Sequence, residues 1–218
     1  MSTFENYLNT PLADDSYATL FGDYPALVTA PHAVEQTRNG AAKWAEPGTG
    51  ALARMLHDDP GCFALVKTQN CGDDANDDES SGFRDDAVRL VNENGIKFGL
   101  DLHQVSPDRE EMIDVGTGCG ANVEAFPNLG YVVVESFDEY GFENLSVDKL
   151  FPAQSPNRVS STLSRECGIA CVQIEINTRL VSSEFDEFAP DRVFEALRSV
   201  VLQLSLIHIS EPTRLLSI

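Results

Sequence analysis

Short apolar runs alternate with amphipathic stretches along most of this chain, and that alternation constrains the fold more than any single motif. Residues 26–30, Cys62-Phe63-Ala64-Leu65-Val66, residues 96–102, Met112-Ile113-Asp114-Val115, Tyr131-Val132-Val133-Val134-Glu135 and Ala170 to Ile176 read as strands. Between them, Ala51, Leu52, Met55 and Leu56 recur at helical spacing before a stop at Asp59-Pro60-Gly61. Phe83, Ala87, Leu90 and Val91 mark a helix over 82–94 that ends at Asn94-Gly95, and Val193, Leu197, Val200 and Val201 place a closing helix over 191–203. Strands separated by helices form a mostly parallel sheet covered on both faces. The expected architecture is one α/β domain over residues 1–203, three-layer α/β/α with a mixed, mostly parallel sheet.

Charge and cysteine usage narrow the partners. Thirty-five acidic residues against 15 basic ones give a net charge of −20, which repels phosphate backbones, so nucleic acid is not expected as a partner. The surplus falls in loop-like runs such as Asp73-Asp74 and Asp77-Asp78-Glu79. No charged segment followed by an apolar one opens the chain, and no run approaches the roughly 18 apolar residues a membrane helix needs. Five cysteines without C-x-x-C spacing fit reduced thiols in a cytoplasm. Residues from Ser205 to Arg214 resemble a translated sequencing adapter, so positions 204–218 are expected to be an artefactual tail replacing the natural C-terminus, and His208 is set aside.

Two of the four histidines stand where an apolar strand runs out: His32 in Pro31-His32-Ala33-Val34 and His103 in Asp101-Leu102-His103. In open α/β sheets ligands bind beyond the carboxyl ends of the strands. A catalytic zinc takes three protein ligands from His, Glu or Asp and keeps a position for water. The third ligand is either Glu35, which completes His32-x-x-Glu35, or Glu46, which precedes the helix start Pro47-Gly48-Thr49-Gly50; spacing leaves both open. Side chains alternate along a strand, so Asp101 shares a face with His103 and is placed to accept a ring N–H. The same alternation puts Gln173, Glu175 and Asn177 together, opposite Val172, Ile174 and Ile176. A carboxylate inside such a strand needs a polar reason to be there. Arg179 extends that face if the strand continues, and a guanidinium suits bidentate holding of a substrate carboxylate. Arg38 and Arg158 are further candidates for the same task.

Pro31-His32, Arg38-Asn39-Gly40, Glu46-Pro47-Gly48-Thr49, Gly72-Asp73-Asp74-Ala75-Asn76, Asp101-Leu102-His103, Asp114-Val115-Gly116-Thr117 and Gln173-Ile174-Glu175-Ile176-Asn177 form an ordered set over about residues 26–180. In that set the chain resembles the N-formylglutamate amidohydrolase family and its relatives, including poly-γ-glutamate hydrolases, which share the metallocarboxypeptidase-like fold. The resemblance implies a zinc-dependent amidohydrolase with His32, Glu46 and His103 as metal ligands and Glu175 as general base. It implies an anionic small-molecule or short peptide-like substrate, such as an N-acyl amino acid or a γ-glutamyl compound. Relatives often read I-N-R-R-L where this chain has Ile176-Asn177-Thr178-Arg179-Leu180, so the first arginine is lost.

A second reading comes from Ile113-Asp114-Val115-Gly116-Thr117-Gly118-Cys119-Gly120, which resembles the nucleotide-binding turn of S-adenosylmethionine-dependent methyltransferases, with Glu135 at the end of a later strand as the ribose-binding acid. That fold gives no reason for His32, His103 and Glu175, and fewer than about 85 residues remain for its sheet and helices. A metal-binding but inactive relative of the hydrolases is the third possibility.

Overall fold

In a computed structural model, which describes residues 3–12, 16–182 and 184–210, the strands are β1 (Tyr17–Leu20), β2 (Tyr24–Ala30), β3 (Gln36–Arg38), β4 (Ala41–Lys43), β5 (Cys62–Lys67), β6 (Phe98–Val105), β7 (Ile113–Gly116), β8 (Leu145–Val147) and β9 (Ala170–Asn177). The helices are α1 (Thr3–Leu8), α2 (Pro47–Asp58), α3 (Gly82–Asn94), α4 (Leu129–Glu139), α5 (Val159–Cys167) and α6 (Ala189–Ser210). Seven strands make one sheet in the order β1-β5-β2-β6-β9-β7-β8, and β3 and β4 form a separate hairpin. The central strands β5, β2, β6 and β9 run parallel, β1 and β7 pair antiparallel to β5 and β9, and β8 runs parallel to β7.

Alternation along each strand divides its apolar side chains between two cores. Val28, Ala64, Leu100, Leu102, Val172 and Ile174 pack with residues of α1, α2, α4 and α6 on one face. Leu27, Phe63, Leu65 and Cys171 pack with α3 and α5 on the other. These are the three layers expected from the sequence. Leu102 and Ile174, on adjacent central strands, are fully buried, and each such side chain contributes about 1.5–3 kcal/mol. α3 begins where Ser81 accepts the Arg84 N–H at 3.4 Å and spans the residues its spacing predicts.

Residues 131–135 are not a strand. They lie inside α4, where Leu129, Val133 and Phe137 are fully buried at i, i+4 and i+8. A strand would have put Tyr131, Val133 and Glu135 on one face; instead Tyr131 and Glu135 are exposed. The three-valine run favours a strand by propensity, and burial of a helical stripe overrides it. The sequence reading also passed over α1, β1, α5, β8 and the hairpin, all short. α6 continues to Ser210, with Leu204 buried; the His208 side chain and residues 211–218 lie outside what is described. Among the described residues no helix is long and apolar enough to cross a membrane.

Candidate metal centre

Opposite the Leu100 and Leu102 face, β6 presents Gly99, Asp101 and His103 in succession, and β9 beside it presents Cys171, Gln173 and Glu175. The register pairs Asp101 with Gln173 and His103 with Glu175. This face is therefore apolar near the strand starts and polar at their carboxyl ends. His32 lies two residues beyond the end of β2, the strand beside β6.

Glu46 is locked next to His32 by backbone bonds: its N–H donates to the His32 carbonyl at 2.8 Å, and its own carbonyl accepts from Thr49 N (3.0 Å) and Oγ1 (2.7 Å). Pro47 then sets the first turn of α2. Gly48 is required for close approach, because a Cβ there would sit 2.8 Å from the Val181 Cβ; its N–H donates to Gln104 Oε1 at 2.8 Å. The helix start is thereby held against the end of β6.

His32 Nδ1 lies 3.1 Å from Glu46 Oε1, His103 Nδ1 lies 3.2 Å from Glu46 Oε2, and the two Nδ1 atoms are 3.2 Å apart. One ligand atom from each of the three residues falls within 4.8 Å of the others. Behind the rings, His32 Nε2 meets Asp74 Oδ1 at 2.9 Å and His103 Nε2 meets Asp101 Oδ2 at 3.3 Å. Asp74 also accepts from Arg38 Nε (2.7 Å) and Asn76 N (3.0 Å), and Asp101 from Thr29 Oγ1 (2.7 Å). Both aspartates are fully buried. Each imidazole thus turns Nδ1 inward while a carboxylate behind it can take the Nε2 hydrogen, the arrangement that fixes tautomer and orientation in metal-ligating histidines. Two inward nitrogen lone pairs and a carboxylate at this separation fit a divalent cation.

The titration of these groups follows from the same contacts. Burial alone would lower the His103 pKa, but Asp101 and Glu46 raise it well above the usual value. His32 is likewise penalised by burial, yet Glu46 and Asp74 bring it to a net rise. Burial disfavours charge on Glu46, and the two histidines overcome this and hold it down at about 2. These contacts favour the protonated histidines, so a cation competes with protons for the same nitrogens. Glu175 goes the other way: burial pushes its carboxyl up to about 7, opposed by His103 and reinforced by Glu46. Its Oε1 accepts from Gln173 Nε2 at 2.9 Å.

His32, Glu46, His103 and Glu175 line one cavity of about 290 Å³, which also receives Arg38 and Arg158. Both guanidiniums are part-exposed and share Asp77, at 3.4 and 3.2 Å. The other predicted residues lie elsewhere. Glu35 is exposed, with Oε1 3.4 Å from Asn70 Nδ2, so it does not join the histidines. Asn177 is fully buried and donates to the carbonyls of Arg109 and Glu111 at 3.2 and 3.1 Å, holding a loop instead of facing the cavity. β9 stops there, residues Thr178–Val181 form a 3-10 turn, and Arg179 does not extend the Glu175 face or line the cavity. Sequence reasoning missed Asp74, Asn76, Gln104 and Gln173 as parts of the site. Gly72-Asp73-Asp74-Ala75-Asn76 enters the family resemblance as a segment, without a role for Asp74 or Asn76.

The glycine-rich stretch is a clasp for the opposite wall. Asp114, fully buried, accepts from the backbone N–H groups of Lys149 (3.1 Å), Leu150 (2.8 Å) and Phe151 (2.9 Å). Gly118 N donates to the Pro152 carbonyl at 2.6 Å, and Asn122 Nδ2 to that of Ala153 at 3.0 Å. A Cβ on Gly116 would meet the Phe151 carbonyl at 2.4 Å. These bonds set the path of residues 149–153, which line the cavity at Leu150 to Ala153. With Glu135 exposed on a helix, the nucleotide-turn reading loses its ribose-binding acid.

The fold is a three-layer α/β/α domain like that of metallocarboxypeptidases. The chain is similar to a bacteriophage poly-γ-glutamate hydrolase (TM-score 0.54, 15% identity, 94% of this chain and 95% of that one). It is similar to the gene product Atu2144 of Agrobacterium tumefaciens (0.55, 12%, 91% and 97%). A metallocarboxypeptidase of Pseudomonas aeruginosa also superposes (0.53, 13%, 84% of this chain and 56% of that one). No family model matches the sequence, and no curated protein matches it.

Proposed function

We propose that this chain is a zinc-dependent amidohydrolase that cleaves the amide bond of an N-acyl amino acid or γ-glutamyl-type substrate, in the manner of N-formylglutamate amidohydrolases. The observation that carries the reading is a pair of buried, carboxylate-backed histidines converging on Glu46, in the same cavity as a buried glutamate with a pKa near 7. His32, Glu46 and His103 would hold a zinc ion, which when bound would supply Lewis-acid polarisation of the scissile carbonyl and a more acidic water. Glu175, ionised near neutrality, takes a proton from that water and returns it to the leaving nitrogen as the C–N bond breaks. Water and amide thus become carboxylate and amine. Arg38 and Arg158 supply local positive charge for a substrate carboxylate, which the net charge of −20 would otherwise repel. The five free cysteines support a cytoplasmic setting as part of this reading.

Metal analysis of the purified chain, with hydrolysis of N-acyl and γ-glutamyl glutamates by parent and Glu175→Gln protein, tests the proposal. Zinc near one equivalent with turnover that Glu175→Gln lowers by about 10²–10⁴-fold supports it. Zinc near one equivalent without turnover makes the chain a metal-binding relative, and no bound zinc refutes the centre itself.

A further inference from the structure

We propose that the acyl side of the substrate is a peptide-like chain with apolar side chains, held in a groove that runs from the metal centre past Trp44, and that a formyl group leaves most of the site empty. This rests on the hydrolase reading above. Two recesses meet at His32, Arg38, Glu46 and Gln104. One is the cavity of about 290 Å³ that contains Glu175, His103 and Arg158. The other is a groove of about 830 Å³ whose wall joins the apolar Trp44, Val105, Pro107 and Val181 with the charged Lys43 and Glu184, and neither Glu175 nor His103 lines it.

The chemistry fixes which part of the substrate enters which recess. Glu175 must reach the leaving nitrogen to protonate it, so the amine product occupies the recess that Glu175 lines, with its carboxylate toward the arginines. An amide bond lying over the ligands then directs its acyl substituent into the other recess. That recess is nearly three times the larger and falls in the size range that encloses drug-sized ligands. A formyl group carries only a hydrogen there. Trp44, just beyond β4, is 91% exposed, an uncovered indole able to pack on an apolar occupant. Gln36 in the same wall is buried with its amide oxygen unpartnered among the described residues. An acceptor left unpaired in this wall is one that an amide N–H of the occupant would satisfy, which favours a peptide-like chain over a plain hydrocarbon.

Trp44 is the only tryptophan in the chain, so its emission reports groove occupancy directly. Zinc-loaded Glu175→Gln protein is titrated with formyl-, acetyl-, acetyl-leucyl- and acetyl-phenylalanyl-leucyl-glutamate, and parent protein is assayed on the same series. The expected result is a blue shift with the two longer compounds and none with formylglutamate. Each buried methylene raises kcat/KM by about fourfold, and Trp44→Ala cuts the preference for the longest compound by about 2–10-fold. Turnover greatest on formylglutamate with unmoved Trp44 emission overturns the groove while sparing the hydrolase. A blue shift without turnover of any compound supports the groove and overturns the hydrolase; neither shift nor turnover overturns both.

Discussion

Asp74→Asn isolates the carboxylate behind His32. The aspartate is fully buried and accepts from three groups: His32 Nε2, Arg38 Nε and Asn76 N. An asparagine of the same shape keeps one acceptor but turns an NH₂ toward one of those donors, and it removes the hydrogen-bonded carboxylate that, after Glu46, helps raise the His32 pKa. Loss of such an outer carboxylate weakens metal affinity by about 10–100-fold, or about 1.4–2.8 kcal/mol. With zinc in excess, the same amount disappears from the stability that zinc adds. For a chain of this size that is roughly 3–11 °C off the gap between zinc-loaded and metal-free melting points. Competition against a chromophoric chelator gives the affinity, and paired thermal scans give the gap. Asp73→Asn is the contrast: it removes the negative charge that the buried Lys67 Nζ meets at 2.7 Å, so both melting points drop while the gap stays. Parental zinc affinity in Asp74→Asn would refute the idea that this carboxylate sets His32.

Glu175→Gln should keep zinc content and lower kcat by about 10²–10⁴-fold, whereas His103→Ala should lose metal and turnover together; metal analysis beside initial rates separates them. Because Glu175 must be ionised to act and burial raises its pKa to about 7, kcat/KM should fall with decreasing pH along an acid limb no higher than about 7, and the limb should vanish from the residual rate of Glu175→Gln. Metal-free protein should be most resistant to urea between about pH 4.5 and 6.5. The raised histidine pKa values stabilise below 6.5 and that contribution fades as pH rises; the lowered Glu46 pKa stabilises above 4.5 and fades as pH falls toward 2. A flat urea midpoint from pH 5 to 8 would contradict the ion pairs. Arg158→Lys should raise KM for carboxylate-bearing substrates and spare uncharged amide analogues, since lysine cannot reproduce bidentate holding; equal losses on both would assign Arg158 to folding.

What the sequence disclosed was whatever depends on period and on strand ends. Strands β2, β5, β6 and β9 and helices α2 and α3 lie where apolar spacing places them, and the order of His32, Glu46 and His103 along the chain anticipates their convergence. Choosing Glu46 over Glu35 came from family resemblance, because an i, i+3 spacing holds only if a helix follows, and here the chain enters a β-hairpin at Gln36. Asp74 was hidden because a buried aspartate and an exposed one read alike inside an acidic run. Arg179 was misplaced by a strand extended two residues too far, and α4 by three adjacent valines. In both cases tertiary packing decides, and no local window contains it.

The clasp on the wall opposite the histidines has an evolutionary consequence. Asp114 grips residues 149–151 through their backbone N–H groups, which every residue except proline supplies. The path of this wall is therefore insensitive to which side chains it carries, while Leu150 and Phe151 face the cavity. Under the proposed hydrolase reading, substitutions there would alter which amine fragment is accepted while the loop's shape and His32, Glu46 and His103 stay as they are. A lineage, or a saturation library, can explore new substrates at these positions with little loss of folded protein, whereas Asp114 itself has no such freedom.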